Sequence, residues 1–265
     1  MQLRVTVLGC GSSGGVPRVG GDWGACDPTN PKNRRRRCSL LLESGEGDHS
    51  LAILVDTSPD LREQLLDADV RRLDAIVFTH EHADHTHGID DLRPLVIAGR
   101  ARIDAWMNEQ TAAALKRRFA YIFETPPGSY YPPLLTERQL TSLGITTIHG
   151  RNGVELTLRP YRLSHGDIDA LGLRIGGFAY APDLNGIPGE SEAMFENLDI
   201  LLIDALRYRP HPSHFSLEET LAAIARFQPK RAILTNMHTD LDYATLAASL
   251  PPNVEPAFDG MQLVL

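Results

Sequence analysis

Cysteine is scarce in this 265-residue chain, where Cys10, Cys26 and Cys38 are the whole complement. So few, and an odd number, exclude a disulfide-built scaffold; a chain this long can bury enough core to need none. No apolar run reaches membrane-spanning length, which excludes a helical integral membrane protein. Low-complexity tracts, Gly/Ser linkers and short-period repeats are absent as well. Positive charge is in deficit: 26 Lys and Arg stand against 34 Asp and Glu, a net charge of −8. That balance argues against a large nucleic-acid partner, although one local basic pocket remains compatible with it. No signal-peptide pattern precedes the strand-like Leu3–Leu8, so a reducing cytoplasm and no membrane association are expected.

What remains is ordinary globular composition, 42% hydrophobic and 23% charged. One domain over 1–265 is expected, with a Pro- and Tyr-rich excursion around 119–136 that reads as a rigid surface loop or as a lid. The most informative stretch is His80-Glu81-His82-Ala83-Asp84-His85. It follows Ala75-Ile76-Val77-Phe78-Thr79, an apolar β-branched run that predicts a buried strand. Two residues apart on extended backbone, His80 and His82 point the same way. Asp84 and His85 sit where the chain turns into a helix and can face the same point. Imidazole nitrogen with carboxylate oxygen is a ligand set for zinc, manganese or iron.

Gly9-Cys10-Gly11-Ser12-Ser13-Gly14 matches the dinucleotide-binding pattern, but Pro17, Gly20, Gly21 and Pro28 prevent the helix that pattern needs. These glycines instead suit a tight turn approaching a site closely. A hairpin is predicted from 38–43 and 50–56 about a turn at 45–48. Helices are predicted over 59–68, from the His cluster through Arg93, and over 108–123. Further strands are predicted at 155–160, 170–175, 177–180, 200–203, 232–235 and 261–265. Ser216 and Glu219 form a capping box ahead of Leu217, Leu221, Ile224 and Phe227. Four polar residues stand at strand ends, His165, Asp183, Asp204 and His238. Each alone reads as a solvated end group; together they can converge on a metal site.

Several segments together resemble the metallo-β-lactamase-fold hydrolases. They are Leu8 through Pro17, the His80-x-His82-x-Asp84-His85 core, His165, the Asp183 turn, and His214 ahead of a helix. Ile233-Leu234-Thr235 and Phe258-Asp259-Gly260-Met261 complete the set. Within that family the chain is similar to the branch containing phosphoribosyl cyclic-phosphate phosphodiesterase and the tRNA 3′-processing endonuclease. The resemblance implies an α/β fold, a four-layer αββα sandwich of two mixed sheets with helices outside. It implies two divalent metal ions, zinc or manganese, one held by His80, His82 and His165 and the other by Asp84, His85 and His238, with Asp183 bridging. Two departures stand out. The last metal-binding His of the family directly follows Ile-Leu-Thr, where this chain has Asn236. The family's cysteine-rich structural zinc site is missing, so Cys26 and Cys38 read as packing thiols.

The function so implied is a dinuclear metal-dependent phosphodiesterase acting on a small cyclic phosphate or nucleotide-like diester through a metal-bridged hydroxide. Asp84 would orient that hydroxide and His214 would protonate the leaving group, tuned by Glu218 or Asp204. A thioesterase or lactonase on the same metals is the alternative, and a non-catalytic binding protein a third reading. Asp56, Asp204 and Asp259 are expected to support ligands rather than to be ligands. His87, His49 and His149 are expected to face away, and His211 to line the entrance. Arg34-Arg35-Arg36-Arg37 is either a solvated loop or a grip on a small phosphorylated substrate or nucleotide. A homodimer is compatible with everything read here.

Overall fold

Period-two alternation builds the first sheet of the computed structural model, which describes residues 2–47, 49–150 and 153–265. In β1 (Leu3–Gly9), Val5 and Val7 enter one core cluster and Leu8 the other. The same division separates Leu40 and Leu42 from Leu41 in β2 (Ser39–Glu46), and Leu51, Ile53 and Val55 from Ala52 and Leu54 in β3 (His49–Val55). In β4 (Ala75–Val77) it separates Ala75 and Val77 from Ile76. Successive side chains point to opposite faces, so a sheet apolar on both must be covered on both. β5 (Ile103–Met107), β6 (Leu135–Gln139) and β14 (Gln262–Val264) complete the order β14-β1-β2-β3-β4-β5-β6. The turn predicted at 45–48 joins β2 to β3; its residue Asp48 lies outside the described residues.

The second sheet runs β13 (Val254–Pro256), β12 (Arg231–Thr235), β11 (Ile200–Asp204), β10 (Phe178–Ala181), β9 (Ile168–Ile175), β8 (Glu155–His165) and β7 (Thr146–His149). Both sheets are mixed: β3 to β6 and β10 to β13 pair in parallel, and the other neighbours are antiparallel. The outer face of the first sheet is closed by α1 (Leu61–Asp67), α3 (Arg93–Gly99), α4 (Glu109–Arg118) and α5 (Ala120–Phe123). They contribute Leu61, Leu65, Val96, Leu115 and Ile122 to its core. α6 (Leu217–Phe227) and α7 (Tyr243–Ser249) bring Leu217, Ile224 and Leu246 to the other sheet's cluster. The result is the expected αββα sandwich. No helix among the described residues is long and apolar enough to cross a membrane.

Three local expectations differ. The segment after the His cluster forms α2 (Ala83–Thr86), a 3-10 turn over Ile89–Leu92, and then α3. Pro94 stands in the first turn of α3, where its missing N–H costs nothing; an uninterrupted helix through it would lose a hydrogen bond. The helix predicted over 108–123 breaks at Phe119, whose φ is −133°, into α4 and α5. β5, β6, β7 and β13 were not foreseen. The capping box forms as read, with Ser216 and Glu219 bonding reciprocally.

The glycine loop after β1 does approach closely. A Cβ on Gly9 would lie 2.1 Å from the carbonyl oxygen of Arg37. Gly11 N–H donates to Arg36 O at 2.8 Å, and Ser12 N–H to Met237 O at 3.2 Å, so the loop joins the N-terminal segment to the end of β12.

Candidate metal centre

Parallel strands that end at one rim of the sandwich deliver the polar side chains there. His80 follows β4, Asp56 follows β3, Asp183 follows β10, Asp204 ends β11 and His165 ends β8. The rims of the two sheets are tied by Leu171 N–H donating to Thr79 O at 2.9 Å. α2 then swings Asp84 and His85 back toward His80.

Asp183 is the hub, 1% exposed. Its Oδ1 lies 3.3 Å from His85 Nε2, and its Oδ2 lies 3.9 Å from His80 Nε2, 3.7 Å from His165 Nε2 and 3.9 Å from His214 Nδ1. His82 Nδ1 is 3.0 Å from His165 Nε2. Asp84 Oδ2 lies 3.7 Å from His85 Nε2. His80, His82 and His165 thus form one group of potential ligands, His80, His85 and Asp183 a second, and His165, Asp183 and His214 a third. Among the described residues His80 Nε2, His85 Nε2 and Asp183 Oδ1 are buried without a hydrogen-bond partner. Orphaned polar atoms of this kind are rare in native interiors, and their convergence on one point fits divalent cation binding.

One carboxylate arranges two of those lone pairs. Asp56 is fully buried at φ 63°, accepting from Thr79 N–H at 2.8 Å and from Thr79 Oγ1 at 2.7 Å. It also accepts from His85 Nδ1 at 2.8 Å. Because the Thr79 hydroxyl proton is spent on Asp56, Thr79 Oγ1 accepts from His80 Nδ1 at 3.0 Å. Both imidazoles therefore carry a proton on Nδ1 and turn Nε2 toward Asp183; neutral His80 presents a lone pair there, and His85 presents one once a cation takes the place of its second proton, an assignment that follows from the network. His165 is set in the same way, its Nδ1 donating to Ser213 O at 2.6 Å.

The electrostatics favour bound positive charge. Burial alone would lower His85, yet the carboxylates of Asp183, Asp56 and Asp84 outweigh it and hold the ring well above the ordinary imidazole range. Burial, with His85 beside it, keeps His80 well below that range and hence neutral. Burial would raise Asp183, but His85, His214 and His80 hold it well below the carboxylate range. His214 donates from Nδ1 to Asp204 Oδ2 at 2.9 Å; burial lowers it, but the hydrogen bond and charge of Asp204 carry it up to about 9.

Six of the seven expected ligands gather here: His80, His82, Asp84, His85, His165 and Asp183. The seventh, His238, is not brought to the cluster. Its ring is engaged by the Arg18 guanidinium on one side and Asp240 on the other. Asn236 stands there instead, its Nδ2 3.2 Å from His214 Nδ1. His214, expected as a proton donor, lies close enough to Asp183 to be counted with the donors. The Thr79 relay had no signature in the sequence beyond its place next to His80.

Asp56 and Asp204 support His85 and His214 as expected, whereas Asp259 instead holds Cys10 and Arg36. His87 packs edge-on against Phe119, His149 pairs with Glu155, and His49 is exposed in β3. His211 lies 5.2 Å from His214, ring centre to ring centre. Each arginine of the run has a partner within the protein. Arg35 is buried and donates to Leu241 O at 2.6 Å and His238 O at 3.3 Å. Arg36 pairs with Asp67 and Asp259, and Arg37 with Asp60. Arg34 lies over the ring of Trp23. Cys10, Cys26 and Cys38 are free and buried.

Residues 52–237 match the family model described as a β-lactamase superfamily domain. A crystal structure described as a new diphosphatase from the PhnP family is 35% identical, covers 100% of this chain and 98% of its own, and superposes with a TM-score of 0.88. Human tRNase Z, short form, shares the fold at 16% identity, 98% coverage of each chain and a TM-score of 0.63. Among curated proteins, an octanoyltransferase of Porphyromonas gingivalis is 32% identical over 99% of this chain. The chain spans about half of that protein, 52% of its length.

Proposed function

The chain belongs to the β-lactamase superfamily, as a hydrolase of the metallo-β-lactamase fold, and from that membership we propose that it is a phosphodiesterase of the dinuclear metal class acting on a small phosphate diester. The observation that carries the reading is the set of unpartnered donors converging on Asp183, backed by His214 on the same rim with its Nδ1 held by Asp204. His80, His82 and His165 would hold one cation, and Asp84 and His85 another, with Asp183 between them. Ions bound there supply nucleophilic water at neutral pH and neutralise charge building on the phosphoryl oxygens.

The chain's own groups do the rest. Asp84, 18% exposed at its side chain where His85 is buried, can accept a proton from the attacking water. With Nδ1 bound to Asp204, whose hydrogen bond and charge raise the ring's affinity for a proton, His214 can carry one on Nε2. It can pass that proton to a departing alkoxide, which an acyl leaving thiolate needs far less. Buried Asp204 anchors the ring so that the donating atom stays fixed.

A second reading, hydrolysis of an acyl thioester, has one observation in its favour: the relative named octanoyltransferase. That protein is matched over only about half its length, so its name does not say which half carries acyl chemistry. The deciding experiment compares turnover of ribose cyclic phosphates and bis-nitrophenyl phosphate with that of an octanoyl thioester and a lactone, with and without chelator. Chelator-sensitive turnover of the diesters alone is expected. Turnover of the thioester alone overturns the phosphodiesterase reading.

A further inference from the structure

The residue after β12 differs in chemistry from the rest of the cluster. Asn236 is 1% exposed at φ 59°, with its amide against His214. Its Oδ1 makes no hydrogen bond among the described residues. Left-handed backbone is tolerated by Asn and by His alike, so conformation does not explain why an amide stands at this position. Since Nδ1 of His214 donates to Asp204, it offers no acceptor to the amide NH2 facing it. The amide is free to turn and present its oxygen.

The donors around Asp183 are divided unevenly. On one side stand three imidazoles, His80, His82 and His165. On the other, His85 is accompanied by the carboxylate of Asp84. The remaining imidazole of this stretch, His238, is spent on Arg18 and Asp240.

We propose that the two cation positions are chemically unequal, Asn236 Oδ1 completing an oxygen-rich second position with Asp84, His85 and Asp183. This rests on the reading that the cluster binds divalent ions. Imidazole-rich sets suit zinc, whereas carboxylate and amide oxygens suit manganese or magnesium. A neutral amide oxygen is a weaker donor to zinc than imidazole. The first position therefore retains zinc and the second exchanges it and accepts manganese.

The test uses the full chain, stripped with chelator and reloaded with zinc, or with zinc and manganese in equal amounts. Metal per chain is read by plasma mass spectrometry after gel filtration, and bound manganese by its paramagnetic resonance. The wild type is expected to keep one zinc tightly and to take manganese at the other position. Asn236→His is expected to hold a second zinc more tightly, by at least the roughly tenfold seen when groups one layer outside a metal are changed, and to stop taking manganese. Asn236→Ala is expected to keep the first ion and lose the second, and His238→Ala to load as the wild type does. Equal retention of two zinc ions by the wild type overturns the proposal. So does an Asn236→His variant, folded by circular dichroism, whose second position is unchanged. Loss of the second ion in His238→Ala would make His238 the donor and equally overturn it. A wild-type chain that binds no ion would refute the metal reading itself, a different failure.

Discussion

Replacing Asp56 with Asn changes one atom and should disable two imidazoles. In the native chain Asp56 Oδ2 receives the Thr79 hydroxyl and His85 Nδ1, and Thr79 in turn fixes His80. With an NH2 in that place, His85 must accept on Nδ1 and carry its proton on Nε2. Thr79 Oγ1 must reverse, which moves the His80 proton to Nε2 as well. Both lone pairs that faced Asp183 disappear. Asn also suits the left-handed backbone at φ 63°, so the fold is retained. The variant should lose metal affinity by at least the ten- to hundredfold typical of removing a ligand's supporting partner, roughly 1.4–3 kcal/mol. Its stability in chelator should fall by only about 1–3 kcal/mol, the worth of the weakened charge-assisted hydrogen bonds.

Asp56→Ala behaves differently. It leaves Thr79 N–H and His85 buried without an acceptor, at about 1–3 kcal/mol each, and places Ala where the backbone is left-handed, at about 1–2 kcal/mol more. Against a total stability of order 5–15 kcal/mol that is a large loss. Chelator-competition titration reads the first effect and thermal unfolding in chelator the second. A folded Asp56→Asn protein with wild-type metal affinity refutes the tautomer relay.

Two further outcomes follow from the geometry. His214→Ala should slow diesters with poor alkoxide leaving groups by about 10²–10⁴-fold, the usual worth of a positioned acid, while a nitrophenyl diester loses little; equal losses on both would remove the acid role. Burial raises Asp242, but hydrogen bonds from Thr245 N–H, Asp27 N–H and Asn33 outweigh it and hold the carboxyl well below its usual range. A depressed folded-state value means stability complete above the unfolded value near 4 and lost as the pH falls below it. Asp242→Asn should therefore flatten the acid limb of a plot of stability against pH, at a cost near neutrality of about 1 kcal/mol or less. An acid limb as steep as the wild type's would contradict this.

Legibility in the sequence followed how local each signal was. β4 and the His cluster were readable because strand, turn and ligands lie within a dozen residues, and α6 because its capping box spans four. β6 was not, since Leu135-Thr136-Glu137-Arg138-Gln139 is a mostly exposed edge strand held by backbone pairing with β5 rather than by an apolar pattern. Residues His165 and Asp183 could be suspected only as strand ends, because their convergence depends on how two sheets are stacked. The role of His238 lay beyond sequence reasoning for a similar reason: period-two parity holds along a strand, but β12 ends at Thr235 and Asn236 is left-handed, which breaks the parity before His238 is reached. The arginine run looked like a charge patch because its carboxylate partners, Asp60, Asp67 and Asp259, are remote in sequence.

The three-residue strand β14 has a bearing on solubility. It pairs antiparallel with Arg4–Thr6 at the margin of the first sheet, and so covers one of the most β-prone segments of the chain. Were those last residues clipped, a row of open backbone donors and acceptors beside Val5 and Val7 would be free to recruit another molecule's strand. β14 thus occupies the pairing edge that β1 would otherwise offer to another strand.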